Sequence, residues 1–243
     1  MAKVFRERIY RHYVSAALQP LAPETLDGLA PRQPFLADIV ARLFPADRTA
    51  RILEIGCGHG ALLHVASRAG YTNMTGVDGS PSQVAAADRL GIAGVRQGDG
   101  LSALKGEADA SHDAIVAFDV LEHLDRDELL VMADETFRVL RPGGRWILHL
   151  PNGMAPFAGA SRWGDLTHEL AFTPESLAQL VYSVGFSGLS CYEDVPIAHG
   201  LKSAIRRVAW LAIRQMLRAY YMIETGTAHG AVFTQNFQAV AVK

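Results

Sequence analysis

Three glycines on alternate positions, Gly56, Gly58 and Gly60, follow the apolar run Ile52-Leu53-Glu54-Ile55, which carries a single carboxylate, Glu54. Glycine admits positive φ and lets a ligand lie against bare backbone, so the run predicts a strand turning tightly into a helix around an adenosine-bearing ligand. Asp78 comes 20 residues after Gly58, the spacing of a carboxylate that ends a second strand and accepts hydrogen bonds from ribose hydroxyls. Asp78 and Ser80 equally suit N-caps of a helix that Pro81 begins. Dinucleotide sites use G-x-G-x-x-G, with a pyrophosphate on the helix N-terminus. The G-x-G-x-G of this chain places the third glycine wrongly for that purpose.

A second concentration of chemistry lies in Arg162-Trp163-Gly164-Asp165-Leu166-Thr167-His168-Glu169, and a third in Asp119-Val120-Leu121-Glu122-His123. A hydroxyl that is to act as a nucleophile must lose its proton, and a nearby imidazole is the usual acceptor. His123 and His168 are therefore the candidate bases, with helix capping and loop anchoring as their respective structural alternatives. Asp165, His168 and Glu169 offer three potential metal ligands in five residues. Capping and hydrogen-bonding loops carry the same residue types, and no metal is assigned.

These groups need a scaffold. From Arg51 onward short apolar runs alternate with helical stretches, the pattern of a parallel sheet covered on both faces. Strands are expected at 51–55, 73–77, 94–97, 113–118 and 144–150, with further strands near 188–193 and 231–241. Helices are expected near 60–69, 81–90, 126–139 and 174–184, the last opened by Thr173 and Pro174. Residues 1–48, broken by five prolines, are expected to form a helical lid, with Tyr10 and Tyr13 facing the substrate or packing beneath it. Residues 49–152 then make a cofactor-binding half and 153–243 a substrate-side half.

The succession of the glycine loop with Glu54, Asp78-Gly79, Gln97-Gly98-Asp99-Gly100, Phe118 leading into "D-V-L-E-H-L", and "L-R-P-G-G" at 140–144 resembles the class I S-adenosylmethionine-dependent methyltransferases over roughly residues 50–152. The resemblance implies an α/β, Rossmann-like fold with a seven-stranded, mostly parallel sheet whose last strand enters antiparallel. It implies adenosylmethionine as cofactor, held by Glu54, Gly56, Cys57, Gly58, Gly60, Asp78, Gly79, Asp99, Gly100 and Phe118. Arg32 could pair with the cofactor carboxylate or stay solvated. The segment from Gly164 to Leu177 is similar to bacterial methyltransferases that accompany glycosyltransferases, implying a sugar hydroxyl as acceptor and Tyr13, Trp163, Asp165 and Glu169 on the substrate side. The alternatives are a quinone, phenol or amine acceptor, and a non-catalytic cofactor-binding partner subunit.

Cys57 is expected to be a small buried residue without redox chemistry. His59 and His64 are expected at the surface, and His149, alternating with apolar neighbours, inside. Net charge is −2 over 243 residues, which argues against a polyanionic partner. The motifs of base-methylating enzymes, an Asn/Asp-Pro-Pro-aromatic run or a Pro-Cys nucleophile, do not occur, so no nucleic acid is expected. Two cysteines and no signal-like N-terminus suggest a soluble cytoplasmic protein, of undetermined oligomeric state. Helical periodicity over 202–218 places Lys202, Arg206, Arg207, Arg214 and Arg218 within about 160° and Ile205, Val208, Ala209, Ala212 and Met216 opposite. The expectation is a helix inserted between the last two strands, near 200–220, with its apolar face on the core and its arginines in water. A surface for anionic lipid or a lipid-linked glycan is the alternative.

Overall fold

Runs rich in Ile, Leu and Val form the expected seven-stranded sheet in the computed structural model, which describes Ile9 and residues 22–243. Its strands are β1 (Ile52–Ile55), β2 (Met74–Asp78), β3 (Val95–Gln97), β4 (His112–Phe118), β5 (Leu140–Pro151), β6 (Gly188–Glu193) and β7 (Asn236–Val242). They lie in the order β3-β2-β1-β4-β5-β7-β6. The first five are parallel, and β7 runs antiparallel to both β5 and β6. Strand order reverses between β1 and β4, and the carboxyl ends of strands at such a switch point border the ligand crevice of open α/β sheets.

Both faces are covered. Because side chains alternate across a strand, Ile52, Ala114 and Val116 pack on one side with α1 (Gln33–Leu43) and α2 (Ala61–Arg68). Leu53, Ile55, Ile115 and Ala117 pack on the other with α5 (Arg126–Val139) and α7 (Pro174–Val184). In α1, Pro34 stands in the first turn and Leu36, Ile39, Val40 and Leu43 form the buried stripe, the spacing of an amphipathic helix. The remaining helices are α3 (Pro81–Leu90), α4 (Gly100–Lys105), α6 (Gly159–Trp163) and α8 (Leu201–Thr225). Tyr10 and Tyr13 lie outside the described residues.

Several elements depart from expectation. β5 begins at Leu140 rather than 144, because Leu140 pairs with His112 before a register shift brings Arg145 opposite Ala114. β7 begins at Asn236, since residues 231–235 bridge back to the sheet instead: Asn152 Nδ2 donates to the carbonyls of Val232 and Thr234 (2.7 and 2.8 Å). The short α4 and the 3-10 turn Leu121–His123 give too few residues for a periodic signal. The largest departure is α8. Its apolar face is not on the core, and Ser203 is its one buried residue. The line Ser203, Trp210, Arg214, Leu217 and Tyr221 turns toward the body, where Arg214 pairs with Glu193. The edge of the sheet there offers a carboxylate, so Arg214 faces inward, while Leu201, Ile205, Val208, Met216 and Ile223 face solvent.

Candidate active site

Beyond β1 the chain makes two bonds to the end of β2: Gly56 N and Cys57 N both donate to Val77 O (2.8 and 3.1 Å). Gly56, Gly58 and Gly60 all take positive φ, +68°, +54° and +78°, conformations that strain a residue bearing Cβ. A Cβ on Gly56 would also stand 2.4 Å from Val120 Cγ2, and one on Gly60 2.7 Å from Val95 Cγ2. Asp78 clamps this loop: Oδ2 accepts from Gly58 N (2.7 Å) and Oδ1 from Ser80 N (2.8 Å). A carboxylate has about four acceptor sites, so Asp78 retains capacity for ribose hydroxyls.

Glu54 lies within β1, 4% exposed, and its Oε2 is buried with no hydrogen-bond partner. Burial pushes its carboxyl up to about 8, helped by the like charge of Asp78 and opposed by Arg32. Arg32 stands at the N-cap position of α1 without a capping bond, is exposed, and acts on Glu54, His59 and Asp119 through its charge. His59 is not at the surface: it is 8% exposed with Nδ1 3.2 Å from Gln83 Oε1, because the left-handed glycines on either side roll it inward. Cys57 is buried, and that burial raises its thiol. Gly79 occupies the exposed turn after β2. Asp99 accepts from Ser102 N (2.8 Å) as the N-cap of α4, and Gly100 is pressed against Ile55, whose Cγ2 a Cβ would meet at 2.4 Å.

Adenosylmethionine, implied by the sequence resemblance, fits this set. The unpartnered buried oxygen of Glu54 suits a cationic group, the three glycines leave backbone open to close approach, and Asp78 has lone pairs to spare.

Beyond β4 the chain turns sharply. Asp119 takes φ +54°, a conformation that costs a non-glycine residue free energy. Its carboxylate accepts from His149 Nδ1 (2.6 Å), and His149 Nε2 donates to Asp194 Oδ2 (3.0 Å). Burial alone would lower His149, but the two carboxylates raise it to about 10, so it is an imidazolium. Burial likewise would raise Asp119, and the imidazolium outweighs it, holding that carboxyl below its usual range. Phe118 packs its ring 5.7 Å from His149.

The loop between β5 and α7 is pinned to the 3-10 turn after β4: Glu169 N and Leu170 N both donate to Glu122 O (2.7 and 3.0 Å). Arg162 braces it, donating to the carbonyls of His168 and Glu169. Asp165 Oδ1 accepts from Thr167 N (2.8 Å) and from Thr167 Oγ1 (2.6 Å), and Thr167 Oγ1 is 2.8 Å from His123 Nδ1. The Thr167 proton points to Asp165, so its oxygen is left to accept from His123 Nδ1. Burial and the neighbouring His168 bring His123 down to about 4. The two rings meet edge-on, centroids 4.7 Å apart.

His123, His168 and Asp165 are thus brought together. Glu169 and Trp163 are not: both are exposed, and Trp163 is covered by the Arg162 guanidinium 4.0 Å above its ring. Asp165, His168 and Glu169 do not converge on an ion. The sequence assigned no role to Thr167, Asp119 or the His149–Asp194 pair, since each acts through a partner 30 or more residues away.

A methyltransferase-domain family model matches residues 29–190. A ubiquinone biosynthesis O-methyltransferase of Xylella fastidiosa (strain 9a5c) is 29% identical over 152 residues, 57% of this chain and 60% of that protein. A probable S-adenosylmethionine-dependent methyltransferase of Mycolicibacterium smegmatis is 33% identical over 140 residues, covering 56% and 51%. The chain thus spans about 60% or less of the length of these curated relatives. Among solved structures, an S-adenosylmethionine-dependent methyltransferase of Archaeoglobus fulgidus superposes with a TM-score of 0.65 at 18% identity, over 90% of this chain and 100% of that one. Phosphoethanolamine N-methyltransferase 2 of Haemonchus contortus, in complex with S-adenosyl-L-methionine, gives 0.59 at 17%, over 100% and 60%. The glycine loop, the strand order and the matched family together show that this chain belongs to the class I methyltransferase-domain family, with S-adenosylmethionine as its cofactor.

Proposed function

We propose that this chain methylates a hydroxyl oxygen of a small phenolic or quinol-type molecule, with His123 as the base. The observation that carries the reading is the relay Asp165–Thr167–His123, which holds the imidazole in one orientation from its Nδ1 side. With its pKa near 4, the ring is neutral at pH 7 but weakly basic. A phenol, ionising near pH 10, asks less of such a base than a sugar hydroxyl, which needs far more alkaline conditions. The ubiquinone biosynthesis O-methyltransferases among the relatives support the same acceptor class over the sugar that the loop sequence suggested.

When bound, the cofactor would supply an electrophilic methyl for the acceptor oxygen, with the carbon–sulfur electron pair leaving on the sulfur. The protein does the rest. Glu54, Asp78 and the glycine loop would hold the amino-acid and ribose ends, Arg32 would face the carboxylate, and Asp119 and Phe118 would border the methyl-bearing end. The pinned loop carrying Thr167 and His168 would orient the acceptor, where positioning supplies much of the rate. His123→Ala should lower turnover of a phenolic acceptor by about 10²–10⁴ with cofactor affinity retained. Wild-type turnover in that variant removes the base.

Such acceptors are often lipid-soluble, and α8 suits an anionic membrane surface. Its outward stripe of Leu201, Ile205, Val208, Met216 and Ile223 is 60–85% exposed, flanked by Lys202 and Arg206 on one side and Arg207 and Arg218 on the other. That combination is characteristic of helices lying in a lipid interface. Facing a second copy, the same flanks would bring like charges together. Among the described residues no helix is long and apolar enough to cross a membrane.

A further inference from the structure

We propose that Glu122, His123 and His168 form a binding site for one divalent first-row transition ion. Each offers a ligand atom, and these atoms lie within 4.8 Å of one another. Ligands about 2.1 Å from a shared zinc-like ion stand about 3–4 Å apart, so small side-chain rotations close the set. The site goes beyond the methyl-transfer reading, resting on it only for the ion's purpose.

Three further observations converge on the same point. Glu122 is 1% exposed, and its Oε2 is buried with no hydrogen-bond partner. An orphaned buried carboxylate oxygen is costly unless a cation satisfies it. His168 Nε2 stands 4.0 Å from Glu122 Oε1, too far for a hydrogen bond but within the span of two ligands on one ion. The relay behind His123 is of the kind that orients a ligating imidazole: a carboxylate, acting through a hydroxyl, holds the ring from its Nδ1 side. The backbone bonds from Glu169 and Leu170 to Glu122 O hold the segment carrying His168 over the turn carrying the other two.

Two imidazoles and one carboxylate select zinc-, cobalt-, iron- or manganese-like ions over magnesium and calcium, which take oxygen ligands. Three protein ligands leave a position open, as in catalytic rather than structural sites. The acceptor oxygen can take that position. Its O–H bond then breaks with the proton passing to bulk water, and the oxyanion remains bound to the ion. In this loaded state His123 Nε2 is a ligand, and it takes the proton itself only when the ion is absent.

The test is a calorimetric titration of Zn²⁺ into the tag-free chain after chelator treatment, with the visible spectrum of bound Co²⁺ as a second readout. One ion per chain is expected. Glu122→Gln and His168→Ala should each weaken binding at least 100-fold, and Thr167→Val, which keeps all three ligands, about 10-fold. Circular dichroism and adenosylmethionine affinity report whether the variants are folded. A wild type that takes up no stoichiometric ion, or variants that bind as the wild type does, overturns the site. Absence of ion binding in a chain that still transfers methyl sinks the metal site alone. Ion binding in a chain that methylates no hydroxyl sinks the functional reading alone.

Discussion

His149 Nδ1 stands 2.6 Å from Asp119 Oδ1, joining the carboxyl end of β5 to a residue in left-handed backbone at the rim of the crevice. The charge of the imidazolium is what keeps that strained residue and its carboxylate in place. With its folded pKa near 10 against an ordinary 6.5, the folded state holds the proton more tightly than the unfolded one. Its contribution to stability is therefore complete below about pH 6.5 and is lost as pH rises through 10.

His149→Ala should consequently destabilise the fold by about 2–4 kcal/mol, because it leaves Asp119 and Asp194 without their shared cation. It should also flatten the stability profile between pH 7 and 10. Urea melts at several pH values read both effects, and a variant with the wild-type midpoint and slope contradicts the charge assignment.

Glu54 predicts a proton-coupled cofactor site. Burial and Asp78 keep its carboxyl largely protonated below pH 8, while Arg32 opposes them. Pairing with a cationic group of the cofactor requires its ionisation, so binding should release a proton, and affinity should rise by up to about tenfold per unit between pH 6 and 8. Calorimetry in buffers of different ionisation enthalpy measures the release directly. Glu54→Gln should abolish it; equal proton release in that variant would point to another group.

The relay can be cut without touching either ring. Thr167→Val removes the hydroxyl between Asp165 and His123 at nearly constant volume. Turnover should fall about 10–100-fold with cofactor affinity unchanged, since only the ring orientation is lost. Steady-state kinetics with a phenolic acceptor decide it, and an unaltered kcat dismisses the relay.

For α8, replacing Ile205, Val208 and Met216 with Ser should abolish flotation with anionic vesicles while leaving cofactor binding intact. Replacing Arg206, Arg207 and Arg218 with Gln should weaken it by about 1 kcal/mol per charge and reduce its salt dependence. A wild type that stays in solution at low salt, with phosphatidylglycerol vesicles present, rules out the lipid surface.

The cofactor half was legible because its signals are local. Gly56, Gly58 and Gly60 are spaced by one turn geometry, and Asp78 reaches back to Gly58 N across a single parallel pair. The acceptor side was legible only as composition. His123 and His168 stood out as residue types, but Thr167 gains its role from a bond to a ring 44 residues away. His59 misled because position in a glycine loop suggests exposure, whereas left-handed backbone on either side turned it inward. In α8 the periodicity was correct and the orientation inverted. A hydrophobic stripe names a face but not its neighbour, and the carboxylate of Glu193 drew Arg214 to the sheet.

The excursion that carries α8 leaves and rejoins the sheet at one corner. Glu193 pairs with Phe237, and Asp194 N still donates to Thr234 Oγ1 at 3.0 Å. Its two ends are thus already neighbours, and the residues between 197 and 230 contribute nothing to the parallel strands. The helix is in effect a detachable cassette. A tight turn spliced between Val195 and Val232 would yield a trimmed protein that keeps Asp194 for His149, and the same junction would accept a foreign segment.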